Sequence, residues 1–330
     1  MSITEGQDLT TYDVVVVGGG AAGLSGALTL GRARRSVLVV DAGQPRNSPA
    51  PGVHGFLTRD GTNPAVLLEA GREEVRRYGV ELLDGRVASA ERVEDGFVVN
   101  LDDGNSVGAR RLLVATGLVD ELPEVPGVWE RWGRDVLHCP YCHGWEVRDQ
   151  PIGVLASGPR AAHQALLFRQ WSADVALFLH TAPLPTDEEA EKLAARGIAV
   201  VEGEVASLEI VEDRLAGVRM GGGEVVARRT VAVMPRFVAR TEMLAGLGLE
   251  TTVHPLGVGE HVEADATGLT AVPGVWVAGN VADLMAQVVG AAEAGVRAGA
   301  AINADLIAED NDHAVTAYRD RREARVAGRC

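Results

Sequence analysis

The sequence predicts an α/β protein built from Rossmann-like dinucleotide-binding units, and two sets of residues carry that expectation. The first is Tyr12 to Asp41. Tyr12–Val17 is a short valine-rich run, the pattern of a parallel strand buried on both faces. Gly18-Gly19-Gly20-Ala21-Ala22-Gly23 follows at once. A helical pattern then runs from Leu24 to about Arg34, and a second buried strand, Ser36–Val40, ends on Asp41. In this order Gly18 makes the tight turn, Gly20 lets the backbone approach a pyrophosphate, and Gly23 permits close helix–strand packing. The helix N-terminus stabilises the diphosphate, and Asp41 can accept ribose hydroxyl hydrogen bonds. The second set is a pair of later strands. Arg111–Val114 runs into Ala115-Thr116-Gly117, and Val275-Trp276-Val277 leads to Ala278-Gly279-Asn280 and a small-residue helix from about Met285. The fingerprint alone does not distinguish FAD from NAD(P).

The chain of 330 residues is long enough for two domains, and 46% hydrophobic content allows large cores. A net charge of −15 argues against nucleic acid or an anionic membrane as partner. The cysteines are Cys139, Cys142 and Cys330, too few for a disulfide framework and suited to a reducing compartment. Met1–Tyr12 lacks the basic and apolar regions of a secretory signal, and the small-residue run from Ala286 to Ala304 is broken by Glu293 and Arg297, so no membrane span is expected. A soluble cytoplasmic protein is the expectation. Richness in Ala, Gly, Val and Arg points to a GC-rich genome.

The chemistry-bearing stretch is His138-Cys139-Pro140-Tyr141-Cys142-His143-Gly144. The spacing lets the two sulfurs close a small disulfide ring, and a helix N-terminus or an imidazolium can hold one of them as thiolate. Neutral imidazole can take the second thiol's proton, which makes His138 and His143 candidate bases. A zinc site normally draws four ligands from more widely spaced positions, so no metal is expected here. Two inert buried thiols remain an alternative on these residues alone. Trp129, Trp132, Tyr141 and Trp145 cluster around the motif and could line an apolar pocket, although packing in the linker core is the expected fate of Trp129 and Trp132. Arg319–Arg325 reads as a solvated charged run and Cys330 as an incidental terminal thiol.

GGGAAG at 18–23, LLVATG at 112–117 and PGVWVAGN at 273–280, in that order and with a CxxC between the last two, resemble the flavoprotein disulfide reductases, specifically low-molecular-weight thioredoxin reductase. The resemblance spans Tyr12–Ile307 and implies two Rossmann-like dinucleotide-binding domains in a three-layer ββα architecture. It places an FAD domain in residues 1–120 and 244–330, and an NADPH-type insert carrying the CxxC in residues 121–243. It implies that Gly18, Gly20, Ala21, Gly23, Asp41 and Gln44 hold the ADP half of FAD, with Arg86-Val87 beside the adenine. Ala115, Thr116, Gly117, Gly279, Asn280, Gln287 and Val288 complete the FAD site toward the ribityl chain and isoalloxazine. Asn280 stands where the family usually has Asp. A homodimer is implied by the family alone.

In the insert the strand Ile152–Leu155 is followed by Ala156-Ser157-Gly158-Pro159-Arg160-Ala161, where GxGxxG/A is wanted; the first glycine is missing. A Cβ in such a turn costs on the order of 1 kcal/mol where φ is positive. The next strand, Asp174–Leu179, should deliver a ribose- or phosphate-recognising group, but Trp171–Glu191 holds no Lys or Arg, and His180-Thr181-Ala182 offers no acid. A vestigial nucleotide site is the expectation, unless Arg160 or Arg236 supplies the phosphate contacts. CPYCHGWE, with His143 where thioredoxin reductases carry Asp, together with Pro45-Arg46-Asn47 and His54–Gly61, is similar to the FAD-dependent dithiol oxidases of disulfide natural products, the holomycin and gliotoxin type. That resemblance places Arg46, Asn47 and His54 near the flavin. It implies a small-molecule dithiol substrate, a dithiolopyrrolone or a gliotoxin-like compound, attack at Cys139 with Cys142 nearer the flavin, and O2 reduced to H2O2. It also implies a role in antibiotic biosynthesis or self-resistance. An NADPH-dependent thioredoxin-disulfide reductase and a non-enzymatic FAD-binding redox sensor are the alternatives.

Overall fold

The computed structural model describes residues 9–158 and 160–327. Its larger sheet grows from the first fingerprint. β1 (Thr11–Val17) passes directly into the Gly18 turn and α1 (Ala21–Arg32), and β2 (Val37–Asp41) returns parallel to β1 with Val14 opposite Val37. After α2 (Pro64–Arg76), β3 (Glu81–Asp84) extends this edge. β4 (Val87–Val93), β5 (Gly96–Leu101) and β6 (Ser106–Val114) form an antiparallel ribbon whose last strand lies parallel to β1, giving the order β3-β2-β1-β6-β5-β4. β6 begins well before the expected Arg111 because its first half is the half-exposed arm of that ribbon, Ser106 opposite Asn100, where polar residues are tolerated.

β7 (Leu118–Glu121) leads out to a second sheet. β8 (Val136–Leu137) precedes the single turn α3 (Pro140–His143), and β9 (Ile152–Leu155), α4 (Ala161–Phe168), β10 (Val175–Phe178), α5 (Asp187–Ala195) and β11 (Ala199–Val201) follow as β–α alternation. A meander, β12 (Val205–Val211), β13 (Arg214–Met220) and β14 (Val225–Ala227), precedes β15 (Thr230–Val233), which completes the parallel order β11-β10-β9-β15-β8. β16 (Arg236–Ala239) pairs antiparallel with β7, and β17 (Thr252–Val253) and β18 (Gly259–His261) complete that small connecting sheet. β19 (Val275–Val277) then rejoins the first sheet beside β6, and α6 (Val288–Ala327) crosses α1. The first and last parts of the chain therefore share one sheet, and the middle part builds another. Among the described residues no helix is long and apolar enough to cross a membrane.

Trp132 packs half-buried beside Val128 and Val136, but Trp129 is 69% exposed, contrary to its expected place in the linker core. The Val125–Trp132 turns put Val128, fully buried, on the inward side and leave the Trp129 ring outside.

α1 and α6 meet backbone to backbone: a Cβ on Gly295 would lie 2.0 Å from the Ala22 carbonyl oxygen. Gly295→Ala should cost roughly 1–3 kcal/mol by overpacking and visibly lower the thermal unfolding midpoint. Gly290→Ala, whose Cβ would meet only the Ala286 Cβ at 3.8 Å, should leave the midpoint unchanged or raised; differential scanning calorimetry of both variants checks the pair.

Candidate active site

One cavity of about 1220 Å³ is lined by Cys139, Cys142, His138, His143 and every candidate FAD-site residue except Gly23. Gly23 lies under its floor, where a Cβ would come within 1.8 Å of the Gly18 carbonyl oxygen. Gly18 has φ +104° and a Cβ there would strike the Ala115 carbonyl at 2.4 Å, so the turn admits glycine only. Over Gly20, by contrast, nothing lies within 4 Å of an added Cβ. Bare backbone thus faces the cavity where α1 begins, the surface a diphosphate needs. Asp41, at the end of β2, sits against Gly19 and receives a 2.6 Å ion pair from Arg72 of α2. Arg72 belongs to no motif and carries no signal in the sequence. Arg86 reaches Gln44 at 3.3 Å, and Val87 closes this end of the wall.

At the other end the Arg46 guanidinium binds Asp120 in bidentate fashion at 2.8 and 2.6 Å, lies 5.0 Å over the Phe237 ring, and donates to Asn280 Oδ1 at 3.3 Å. Asn280 in turn donates to the carbonyls of Asp283 and Ala286, both at 2.9 Å. Its side chain therefore holds the turn that delivers Gln287 and Val288, and a neutral amide with donor hydrogens does this where a carboxylate could not. Asn47, Ala21, Ala115, Thr116, Gly117 and Gly279 fill out the wall, with the Thr116 hydroxyl donating to the Arg240 carbonyl at 2.7 Å.

The cysteine pair, half-buried, lines the same cavity. Cys139 is the residue before α3, and Pro140, whose missing N–H costs nothing in a first turn, starts the helix. The Cys139 sulfur accepts from the Cys142 thiol and from the backbone N–H groups of Cys142 and Tyr141, which holds its pKa down to about 6 against the opposing effect of burial. Cys142 is pushed the other way, by donating that hydrogen bond and by burial. The Gln287 amide approaches both sulfurs, at 3.9 and 3.7 Å. The reduced pair is therefore one thiolate and one thiol, with the charge on Cys139.

The two histidines differ. His138 is packed edge-on against Phe237 at 5.2 Å with Nε2 3.2 Å from Met234 Sδ, and burial, reinforced by Arg46, lowers its pKa to about 4. It stays neutral, and its carbonyl is gripped by Gln164 Nε2 at 3.0 Å. His143, next to Cys142 on α3, is lowered mainly by burial; Glu146 opposes this and His54 adds to it. His54 does not extend along the cavity alone: its ring lies between Asp60, 3.4 Å away, and Glu146, 3.7 Å away, joining the 54–61 loop to the segment after the CxxC. Of the four aromatic residues expected to form a pocket, Trp132 and Tyr141 line the cavity. Tyr141 also stands edge-on to Trp171 at 5.6 Å. Trp145 is instead 65% exposed with the Arg148 guanidinium 4.0 Å over its ring, and Trp129 faces solvent.

The second fingerprint has a different interior. Ala156 is buried, and the Ser157 hydroxyl turns inward, donating to the Met234 carbonyl at 2.8 Å and accepting from its N–H at 3.2 Å. His180, after β10, accepts from the Val205 N–H through Nδ1. Arg236 is held by Glu121 at 2.8 Å and by Glu260. Cys330 lies outside the described residues.

The sequence pattern of the pyridine nucleotide-disulphide oxidoreductases matches residues 12–295. Thioredoxin reductase sirT of Leptosphaeria maculans is 30% identical over 91% of this chain and 95% of its own length. Thioredoxin reductase aclD of Aspergillus oryzae is 40% identical over a shorter stretch, 46% of this chain. Against several of the curated fungal relatives the chain spans less than half of the relative's length, 37%, 47% and 49% in three cases. Among solved structures, that of HlmI superposes with a TM-score of 0.87 at 50% identity, covering 92% of this chain and 95% of the other.

The thiolate assignment has a direct check. A lowered thiol pKa means thiolate above it, so alkylation of Cys139 in the reduced protein by iodoacetamide should be near its plateau at pH 7 and fall off as pH drops through about 6. Cys142→Ala removes the strongest donor and should move that fall-off toward higher pH; an unmoved profile would show that the Cys142 thiol is not what stabilises the charge.

Proposed function

The chain belongs to the pyridine nucleotide-disulphide oxidoreductases as a thioredoxin-reductase-like flavoprotein that binds FAD, and on that premise we propose that it is a dithiol oxidase. In this reading it closes an intramolecular disulfide in a small molecule through the Cys139–Cys142 pair, with O2 as final acceptor and H2O2 as product. What carries the reading is the contrast between the two fingerprints. The open backbone at Gly20 shares a cavity with the cysteine pair. At the second fingerprint Gly158 is open in the same way, but buried Ala156 stands in place of the turn glycine, residues 171–191 hold no Lys or Arg, and Arg236 is engaged by Glu121 and Glu260, so the groups that would recognise a nicotinamide dinucleotide are depleted. Electrons then have to enter through sulfur.

The open floor from Gly18 to Ala21, Asp41 and the wall from Asn280 to Val288 suit FAD in size and chemistry, and bound FAD supplies the two-electron acceptor between the cysteine pair and O2. The protein's own residues do the rest. His143 takes a proton from a substrate thiol, whose sulfur attacks Cys139; the Cys139–Cys142 bond breaks and Cys142 leaves with the electron pair, to be protonated. The second substrate thiol then attacks the substrate sulfur of the mixed disulfide and expels Cys139. A leaving group with a pKa near 6 favours that step. The products are a cyclic disulfide and a reduced pair in the thiolate–thiol state described above. His138, neutral and engaged with Met234, positions the motif in this scheme, leaving His143 as the base.

The same reading divides the chain into residues 1–120, 121–243 and 244–330, treats it as a cytoplasmic homodimer, and assigns it to the maturation or detoxification of a disulfide antibiotic. The names of the fungal relatives favour one rival, an NADPH-dependent thioredoxin reductase. Anaerobic flavin absorbance separates the two: a small cyclisable dithiol should bleach the flavin within the mixing time of a conventional experiment, while NADPH leaves it oxidised. In air, one H2O2 should form per disulfide closed, and Cys142→Ser should abolish turnover. Rapid bleaching by NADPH, or near-normal oxidation by the serine variant, rejects the proposal.

A further inference from the structure

The two sulfurs are unequally served. Cys139 stands just before α3, and its sulfur accepts from the N–H groups of Tyr141 and Cys142 as well as from the Cys142 thiol. Cys142 stands inside the turn and gives its proton away. If the pair is to pass electrons onward through Cys142, that sulfur has to hold the negative charge in its turn. The transfer itself needs no other reactant. The proton shared along the S–H···S bond moves from Cys142 to Cys139, and the charge moves the opposite way. What it needs is a donor for the new thiolate.

Gln287 is placed to be that donor. Its Nε2 lies 3.7 Å from Cys142 Sγ and 3.9 Å from Cys139 Sγ. An amide nitrogen carries two N–H groups, so it can face both sulfurs and follow the charge from one to the other. The opposite orientation would aim a carbonyl oxygen at a thiolate. The backbone of Gln287 is fixed independently of the sulfurs. Its carbonyl accepts from the Ala291 N–H at 2.8 Å in the first turn of α6, and the turn before it hangs on Asn280. Its amide oxygen lies toward Gly55, where even an added Cβ would stop 3.7 Å short. Arg46 also lends Cys142 a positive charge, but that guanidinium is already held by both oxygens of Asp120. We propose that Gln287 is a catalytic residue whose side-chain amide stabilises Cys142 as thiolate and so opens the way out of the reduced pair. This rests on the electron route proposed above, but the sulfur chemistry is measured without substrate or O2.

The chain has three cysteines, so Cys139→Ala with Cys330→Ser leaves Cys142 alone, and Cys142→Ala with Cys330→Ser leaves Cys139 alone. The pH dependence of iodoacetamide alkylation, with FAD saturating, gives the midpoint of each. Adding Gln287→Met should raise the Cys142 midpoint by about one pH unit or more. It should move the Cys139 midpoint much less, because the backbone donors remain there. Gln287→Glu should raise the Cys142 midpoint further still, since a carboxylate repels the thiolate. In the protein with its cysteines intact, anaerobic bleaching of the flavin by a dithiol should slow by about tenfold in Gln287→Met. An unmoved Cys142 midpoint, equal movement of both midpoints, or bleaching at the unaltered rate overturns the proposal. A shifted Cys142 midpoint in a protein whose flavin no dithiol bleaches would support the role of Gln287 and reject the dithiol oxidase reading instead.

Discussion

Everything in the larger lobe depends on how closely three stretches of backbone approach around the start of α1. The Gly18 turn abuts Ala115 at the end of β6, Gly23 rides on Gly18, and Gly295 of α6 rests on Ala22. None of these contacts leaves room for a methyl group, so the order of the sheet, the depth of the cavity floor and the path of α6 are set by one crowded junction. Close-packed interiors transmit displacement rather than absorb it. A shift of α1 would therefore move Gly20, the open face of the cradle, along with the helix end behind it.

The cysteine pair depends on a different kind of constraint. Cys139 gains its negative charge from donors that α3 holds in place, and α3 is a single turn. Its position is taken from outside. Gln164 grips the His138 carbonyl on one side, Gln287 reaches the sulfurs from the far end of the chain, and His54 spans to Glu146. Burial keeps His138 neutral, and Arg46, paired with Asp120 and stacked on Phe237, adds to this with a fixed positive charge nearby.

Much of this was legible in the residues. Local patterns sufficed for β1, the glycine turn, β2 and the CxxC, because each is specified by side chains within a few positions of one another. The late strand Val275–Val277 and the departure at Ala156 were legible for the same reason. What escaped were partners set by tertiary packing. Arg72 meets Asp41 because α2 packs against α1 and β3, beside the end of β2. Asp120 meets Arg46 because β7 pairs with β16, and no sequence interval encodes either encounter. Two of the four aromatic residues failed for a related reason. Trp129 and Trp145 are near the motif in sequence, but turn geometry, which sequence proximity does not reveal, points both rings to solvent.

The parallel pairing of β19 with β6, Val275 beside Leu112, has a consequence for how the protein comes into being. As the chain leaves the ribosome, the thiol pair is made long before the strand and turn that bring Gln287 to it. Contacts so distant along the chain form late and slowly. For that interval the newborn polypeptide carries Cys139 and Cys142 without the Gln287 amide that later reaches both sulfurs, exposed to chemistry the finished fold restrains.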